Sequence, residues 1–560
     1  MEKPWLKFYE PGVPASIPYP DIPLHKNLEE TAHTHPDNTA TIFFDARLTY
    51  RELDALVNRF AAGLQRLGVK KGDRVALYLP NCPQFIIAYY GTLKAGGIVV
   101  PCNPLYVARE LEHQLNDSGS QTVIALSKLY PVVRAVRDRT PVKHAIVTSI
   151  KEFFPSTLRF LFTLLKEKKE GHVVNISHDA DTQWFKDFMA ESPPVPEPVE
   201  VSPHDTACLL YTGGTTGVPK AAELSHRNLV ANAAQCSVWC SGKRGQERFL
   251  AALPLFHSYG MTTCMNAGIY LASPIVLLPQ FKLKDVLDAI NKNQPTIFPG
   301  VPTMYVAINN YPDIADYNLR SIRACISGAA GLPVEVQQKF QSLTGGRLVE
   351  GFGLSEASPV THGNPVFGDC RIGTIGVPFP DTDSKIVDLE AGTTELPPGE
   401  SGELIIKGPQ VMKGYWNRPD ETCLVLRDGW LYTGDIARCD ADGYFQIVDR
   451  KKDMIIAGGF NIYPRDVEEI LYQHPKIKEA VVAGVPDEYL GEVVKAYVVL
   501  KEGETATEQE IVEFCRRSLA KYKVPRIVEF RKELPKTMIG KILRRVLVEE
   551  ERAKMAKASP

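Results

Sequence analysis

Strand-like and helix-like segments alternate through the first third of the chain. Arg74 to Leu79 is a continuous apolar run typical of a buried strand, Phe85 to Lys94 favours a helix, and Ile98 to Val100 predicts the next strand. Arg109 to Asn116 and Thr122 to Leu126 repeat the helix and the strand. Parallel neighbours need a crossover connection, so this order predicts parallel sheets covered by helices, an α/β fold.

The chain is too long for a single hydrophobic core, because it has 560 residues. The proline-rich stretch 192–203 is interpreted as a linker between stacked α/β/α subdomains. Short β-like runs divided by Gly, Pro and Asp predict a small β-rich subdomain at about 370–448. We therefore expect an N-terminal domain over 1–451 and a small α+β C-terminal domain over 452–560.

Composition excludes several classes of protein. A formal net charge of -2 gives no overall basic field, so nucleic acid is not expected as a partner. Eleven cysteines without C-x-x-C pairs argue against a zinc site or a disulfide scaffold and favour buried thiols. No signal peptide and no run of about 18 apolar residues is found, which predicts a cytoplasmic protein without a membrane span.

One apolar segment qualifies the expected location. Phe153 to Leu165 is rich in Phe and Leu and is followed by Lys166, Lys168 and Lys169. It is too short to span a bilayer. Two interpretations stay open: a helix lying on a membrane surface with the lysines outward, and an ordinary helix packed on the protein.

The segment YTGGTTGVPK, from Tyr211 to Lys220, directly follows an apolar strand-like run. Glycines let backbone amides approach an anion closely, threonines add hydroxyl donors, and the lysine adds a positive charge. The pattern is neither G-x-x-x-x-G-K-[ST] nor G-x-G-x-x-G. Residue chemistry favours a phosphate-binding loop over a plain flexible connection. Its candidate ligands are Thr212, Gly213, Gly214, Thr215, Thr216 and Lys220.

Three further motifs place small residues or a carboxylate where a ligand could approach. Gly351 to Glu356 (GFGLSE) ends in a carboxylate suited to Mg²⁺ beside phosphates, or else in an exposed loop acid. Gly328 to Gly331 (GAAG) follows an apolar strand and allows close backbone approach. Asp428 to Asp435 (DGWLYTGD) ends in a carboxylate on a glycine turn, which is able to accept hydrogen bonds from both ribose hydroxyls or to form an Asx turn.

Two segments carry titratable side chains. Pro535 to Arg545 contains Lys541, and an ammonium there would reduce the repulsion between a carboxylate and a phosphate. The alternative is a solvated basic helix face. Pro254 to Gly260 contains His257, which is either a site residue or a neutral histidine packed on an apolar wall.

From about Leu24 to Arg545, the order of these motifs resembles the adenylate-forming superfamily of acyl-CoA synthetases, luciferases and peptide-synthetase adenylation domains. The resemblance implies that Glu356 binds Mg²⁺, that Phe352 lies against adenine, and that Asp435 and Arg450 hold the ribose. Ser355 stands where threonine is usual and keeps the hydroxyl. The nucleotide side would also include Gly328, Ala329, Ala330, Gly351 and Gly353.

The same resemblance implies a mobile C-terminal domain. Lys452 would be its hinge, Lys541 the catalytic lysine, and Gly459 part of the loop beside the pantetheine of coenzyme A. His257 would border the acyl pocket near the CoA thiol. Met261 stands where some long-chain enzymes carry a tryptophan gate, which leaves chain length open.

The implied activity is an ATP-dependent ligase that joins a long- or medium-chain fatty acid to coenzyme A through acyl-AMP. An aryl or coumarate-type CoA ligase stays open. A fatty acyl-AMP ligase loading a carrier-protein thiol is less favoured, since no carrier domain is expected beyond Arg545. A luciferase-like oxidation and a non-enzymatic nucleotide sensor are the remaining alternatives. Expected partners are the fatty acid, ATP and CoA, and a homodimer is compatible with the sequence.

Overall fold

The computed structural model describes residues 3–212, 219–457, 460–487, 490–537 and 542–558. Contacts divide it into a large unit, Trp5–Asp383 with Lys407–Gly429, and a small unit, Ser384–Ile406 with Trp430–Pro560. The β-rich segment 370–448 is therefore divided, because 384–406 and 430–448 belong to the small unit and the rest to the large unit. The domain boundary at Lys452 stays a prediction.

The first sheet of the large unit has eight strands. Its central strands are parallel, as the alternating pattern predicts, and two antiparallel strands extend one edge. In spatial order the strands are Gly414–Tyr415, Lys220–Ser225, Thr206–Thr212, Ile98–Pro101, Arg74–Tyr78, Thr122–Leu126, His144–Thr148 and Thr182–Trp184.

One helix of the large unit begins where its sequence pattern predicts. The sequence pattern Thr49-x-x-Glu52 predicts a capping box, and the two residues form one at the start of a long helix, where each satisfies a backbone amide that the first turn leaves unpaired. The α-helices of the first half are His25–Thr34, Tyr50–Arg66, Pro83–Lys94, Ala108–Ser118, Tyr130–Val136, Ser156–Leu165, Phe185–Glu191 and His226–Trp239.

Two further four-stranded sheets hold other strands of the large unit. The strands of the first are Phe249–Ala251, Ile275–Leu277, Thr39–Phe43 and Ala46–Thr49 in spatial order. Isolated bridges through Ile297 lead to Ala324–Ser327, Arg347–Gly353, Val360–Gly363 and Val377–Pro378. A continuous helical segment, Ser258–Gly260, Met261–Asn266 and Ala267–Tyr270, contains a central π-helical turn. The other helices are Leu283–Asn293, Pro302–Asn309, Val334–Thr344 and Pro419–Val425, and Leu426–Arg427 is a further short strand.

The proline-rich stretch 192–203 does not separate two subdomains. It follows the helix Phe185–Glu191 in the connection from Thr182–Trp184 to Thr206–Thr212, and both strands lie in the eight-stranded sheet. The Gln65 side-chain amide binds the backbone of this stretch, since it donates to the Glu197 carbonyl and accepts from the Glu197 N–H, both at 2.9 Å. The prolines therefore mark a crossover within one sheet.

The small unit contains two sheets. The first includes Asp383–Val387, Ser401–Lys407, Trp430–Cys439 and Phe445–Arg450. The second contains Phe460–Ile462, Ile455–Ala457, Gly491–Leu500, Ile477–Asp487 and Ile527–Phe530. Its helices are Pro464–Tyr472, Glu508–Arg516 and Arg544–Ala558. The mixed α/β architecture with a β-rich segment confirms the predicted fold class.

The helix Ser156–Leu165 is packed on the protein by one face and open on the other. Phe162 is buried against Phe154 and His172, with ring centroids 5.5 Å apart in both pairs. Four large apolar side chains are exposed: Phe160, Leu161, Leu164 and Leu165. Among the described residues, no helix is long and apolar enough to cross a bilayer.

Candidate active site

The predicted phosphate loop begins and ends on two paired antiparallel strands. Thr212 ends one strand, Lys220 begins the next, and the two residues pair across the antiparallel ladder. The Thr212 hydroxyl donates to the Lys220 carbonyl at 3.4 Å. Gly213, Gly214, Thr215 and Thr216 lie outside the described residues. The hairpin fixes both ends of the loop, and the phosphate role stays a prediction.

Lys220 lies among groups of both charges. Its ammonium forms an ion pair with Glu421 and lies 5.2 Å from the centre of the Tyr415 ring. Burial lowers the pKa of Lys220, Glu356 opposes that shift, and Arg418 adds to it. The side chain is 17% exposed, so the positive charge is poorly hydrated.

Glu356 sits in the single 3₁₀ turn Ser355–Ala357, directly after the strand Arg347–Gly353. The Tyr415 hydroxyl donates to Glu356 Oε1 at 2.8 Å, and Met412 N–H donates to the Glu356 carbonyl at 2.8 Å. The hydroxyls of Ser355 and Ser258 are 3.3 Å apart. These contacts fix the direction of the carboxylate.

A carboxylate placed in this way fits one ligand of Mg²⁺. Among the described residues there is no group of three or more His, Cys, Asp or Glu that could hold a metal ion. Mg²⁺ usually takes only one or two protein carboxylates and completes its shell with water and phosphate oxygens. Glu356 therefore suits a Mg–nucleotide complex better than a metal site formed by protein alone.

The strand before Glu356 is closely packed at its glycines. A β-carbon at Gly351 would lie 2.8 Å from Ile326 Cγ2, and one at Gly353 would overlap the carbonyl of Pro359. Between them, the Phe352 ring lies 6.1 Å from the His362 ring, at 69°. The glycines let two strands approach, and Phe352 is half-buried beside them.

The Gly328 turn meets the helical segment 258–270. Gly328 is buried at the end of Ala324–Ser327, and a β-carbon there would lie 3.1 Å from Tyr259 Cε1. The Tyr259 hydroxyl donates to the Ile326 carbonyl at 2.7 Å. Ala329 has φ +69° and Ala330 is exposed, so the turn projects from the strand end.

His257 caps that helical segment. Its Nδ1 accepts from Tyr259 N–H at 3.2 Å, which places the proton of a neutral ring on Nε2. The side chain is half-buried, and Met261 begins the buried π-helical turn. This capping contact gives His257 a structural role. Its role at the acyl pocket stays a prediction.

Sequence reasoning missed four charged or aromatic residues around Lys220. Arg418 Nη2 donates to Asp117 Oδ1 at 2.6 Å, and the Tyr211 hydroxyl donates to Asp117 Oδ2 at 2.8 Å. Tyr415 and Glu421 contact Glu356 and Lys220, respectively. The run Gly-Tyr-Trp-Asn-Arg-Pro at 414–419 was the available signal, because aromatic and basic side chains are concentrated there in a turn.

In the small unit, Asp435 lies inside a strand and not on the turn that its motif predicts. It pairs with Arg450 across the ladder, and Arg450 Nε lies 3.2 Å from Asp435 Oδ1. Gly434, with φ +71°, lies where the strand register shifts between Glu403 and Ile405, and the Glu403 carboxylate accepts from its N–H at 3.1 Å. Strand pairing overrides the turn signal, and the Asp435 side chain is only 8% exposed.

The hinge candidate Lys452 is exposed in the turn after Phe445–Arg450. Arg544 donates to Asp453 at 2.6 Å and to Glu468 at 2.7 Å. Because Arg544 is 18% exposed and paired twice, the alternative of a solvated basic face is wrong for this residue. Lys541 and Gly459 lie outside the described residues, and their roles stay predictions.

Comparisons with known proteins match almost the whole chain. Residues 28–416 match the model of the AMP-binding enzyme family, and residues 466–541 match the C-terminal domain of AMP-binding enzymes. A long-chain-fatty-acid–CoA ligase of Bacillus subtilis is 49% identical over 555 residues, covering 98% of each chain.

Two solved structures have the same fold. ATP-bound MatB from Rhodopseudomonas palustris has a TM-score of 0.83 at 28% identity, covering 95% of this chain and 99% of that one. The anthranilate CoA ligase AuaEII with anthranoyl-AMP also has a TM-score of 0.83 at 28% identity, covering 96% and 99%. The chain therefore belongs to the AMP-binding, or adenylate-forming, enzyme family.

Proposed function

We propose that the protein is an ATP-dependent ligase that joins long- or medium-chain fatty acids to coenzyme A. The observation that carries the proposal is the 49% identity, over 98% of both chains, to a long-chain-fatty-acid–CoA ligase. The cluster of Lys220, Tyr415 and Glu356 supports it, because it combines a cation and a directed carboxylate next to the hairpin loop.

In the first half-reaction, a carboxylate oxygen of the fatty acid attacks the α-phosphorus of ATP. The bond from that phosphorus to the bridging oxygen breaks, so acyl-AMP forms and pyrophosphate leaves. Lys220 and the 212–216 loop would bind phosphate oxygens, and Lys541 would lie between the two reacting anions. Glu356 would hold Mg²⁺, which when bound neutralises charge on the phosphates.

In the second half-reaction, the sulfur of coenzyme A attacks the acyl carbonyl of the mixed anhydride. The thioester forms, AMP leaves with the electron pair of the broken bond, and the thiol proton passes to solvent or a nearby base. Asp435 and Arg450 would keep the ribose in place. Rotation about Lys452 would bring the Gly459 loop to the pantetheine, with His257 near the thiol.

The proposal includes a cytoplasmic location, where ATP and CoA are available, with peripheral membrane contact through 153–165. Its support is the exposed apolar face of Ser156–Leu165 and the exposed lysines after it. A homodimer is the last part of the proposal, and sedimentation velocity over a range of protein concentrations tests it.

The deciding experiment measures pyrophosphate, AMP and thioester with a series of acids from acetate to stearate, plus benzoate and coumarate. Each acid is assayed with and without CoA. We expect the highest kcat/KM for a medium- or long-chain acid and thioester formation that requires CoA. Turnover to AMP that ignores CoA would identify a carrier-loading enzyme, and a preference for coumarate would identify an aryl-acid ligase.

A further inference from the structure

We propose that Glu421 is a counter-ion of Lys220 that competes with the phosphates of ATP and thereby sets the affinity for ATP. The inference rests on the proposed function, because it takes Lys220 as a phosphate ligand. Glu421 acts through Lys220 and is a positioning residue that touches no reacting atom.

The geometry singles out Glu421 from its neighbours. The helix Pro419–Val425 begins with two acidic residues, Asp420 and Glu421. Glu421 points to Lys220 and forms an ion pair with it, and its side chain is 33% exposed. Asp420 is exposed to solvent on the same turn. One of two adjacent acids is therefore placed on the candidate phosphate-binding cation.

Arg418, another cation near Glu421, already forms an ion pair with a different carboxylate. Arg418 Nη2 is 2.6 Å from Asp117, and Arg418 Nε lies 3.9 Å from Glu421. The Arg418–Asp117 contact is shorter, so Asp117 is the main ion-pair partner of the Arg418 guanidinium. Lys220 is the main partner of Glu421, and it also lies over the Tyr415 ring, whose hydroxyl donates to Glu356.

An arriving triphosphate changes this balance. Lys220 and Glu421 neutralise each other before the anion binds, so a phosphate gains less from Lys220 than from a free ammonium. Glu421 also repels the phosphate directly as a like charge. Phosphate binding must therefore separate Lys220 from Glu421 or make the two anions share the ammonium. When the phosphates leave, the Lys220–Glu421 ion pair forms again. The pair lowers ATP affinity and assists release.

The test compares Glu421→Gln with the matched control Asp420→Asn, which removes an equal charge one position away. The Kd of each full-length variant for MgATP is measured by calorimetry without acid or CoA, at low and high salt. We expect Glu421→Gln to lower Kd about two- to fivefold, the range for a partly exposed charge pair. The gain should shrink at high salt, and Asp420→Asn should change Kd less than the Gln variant.

A double-mutant cycle with Lys220→Gln shows whether Glu421 acts through Lys220. In the Lys220→Gln background, Glu421→Gln should have a much smaller effect on Kd. An unchanged or raised Kd for Glu421→Gln, an equal effect of Asp420→Asn, or an undiminished effect without Lys220 each overturns the proposal. Failure of the proposed function is distinct, because it appears as wild-type protein that binds MgATP but forms no acyl-CoA.

Discussion

The guanidinium of Arg465 donates to the backbone carbonyl of Ile447 at 2.9 Å. Arg465 also donates its own N–H to the Asp449 carboxylate at 2.8 Å. Ile447 and Asp449 precede Lys452 in the chain, and Arg465 follows it. These contacts join the strand Phe445–Arg450 to the helix Pro464–Tyr472 on the other side of the proposed hinge.

Rotation about Lys452 would have to break this connection, so Arg465→Ala should change the balance between the half-reactions. We expect the ratio of the adenylation rate to the thioester-forming rate to shift about threefold or more, since one conformer loses a hydrogen bond of about 1 kcal/mol. Pre-steady-state assays of each half measure the ratio. The control is Arg516→Ala, which removes an exposed arginine paired with Glu513. Equal changes in both halves would contradict the prediction.

Lys541→Ala should separate the half-reactions more sharply. Loss of a cation that stabilises transition-state charge typically costs about 100- to 1000-fold, so adenylation should slow by that factor. Conversion of supplied acyl-AMP to thioester should stay within about threefold. Lys536→Ala is the control, because Lys536 lies in the same segment as Lys541 but forms an ion pair with Glu479. Equal loss of both halves would show that Lys541 has another role.

Membrane contact through Ser156–Leu165 predicts that Leu164→Glu weakens binding to lipid vesicles. Leu164 is 64% exposed, and burial of a leucine contributes enough for about a tenfold change in partitioning. Co-sedimentation with phosphatidylglycerol vesicles measures the change, and phosphatidylcholine vesicles report the contribution of the lysines. Val195→Glu, at a residue 70% exposed elsewhere, is the control. Equal binding by Leu164→Glu and wild type would leave the helix as a packed surface element.

Glu152 should make stability depend on pH. Burial raises its pKa from 4.5 to about 7, although the Ser149 N–H and the Thr148 hydroxyl donate to the carboxylate and oppose the shift. The folded state therefore binds the proton more tightly than the unfolded state. The stability from that proton is fully present below about pH 4.5 and is lost as pH rises through about 7.

Glu152→Gln keeps a neutral side chain of the same shape at every pH. The unfolding free energy of the wild type should fall relative to this variant by up to about 3 kcal/mol across that window. Urea unfolding at several pH values measures the difference. Parallel profiles for the two proteins would mean that Glu152 does not titrate there.

Local signals predicted the parts of the fold that depend on neighbouring residues. The capping box at Thr49 and the strand and helix order from Arg74 to Leu126 are confirmed, because caps and apolar periodicity act over a few positions. The turn expected at Asp435 is wrong for the opposite reason. Pairing with the strand Phe445–Arg450 decides its conformation, and Gly434 fits the irregular register without forming a turn.

Which distant segments come into contact could not be predicted from the sequence. Arg418 and Asp117 are 301 positions apart, and neither belongs to a motif that marks a phosphate site. Glu421 could not be recognised from the sequence either, because an acidic residue at the start of a short helix ordinarily only stabilises the helix through its dipole. The motif residues Lys220 and Glu356 were found from their chemistry. The side chains around them depend on how the strands Lys220–Ser225 and Gly414–Tyr415 come together.

The close approach at Gly353 limits how this protein can evolve. Any side chain there meets the rigid carbonyl of Pro359, whereas the atom nearest to a β-carbon at Gly351 is a methyl carbon of Ile326, with the His362 carbonyl oxygen next at 3.3 Å. In a saturation library selected for activity, codon 353 should return glycine alone. Codon 351 should admit alanine only when position 326 simultaneously changes to a residue without Cγ2, such as alanine, because valine keeps that methyl group. In divergent relatives, Gly351 can therefore be replaced together with a change at position 326, whereas Gly353 has to stay glycine.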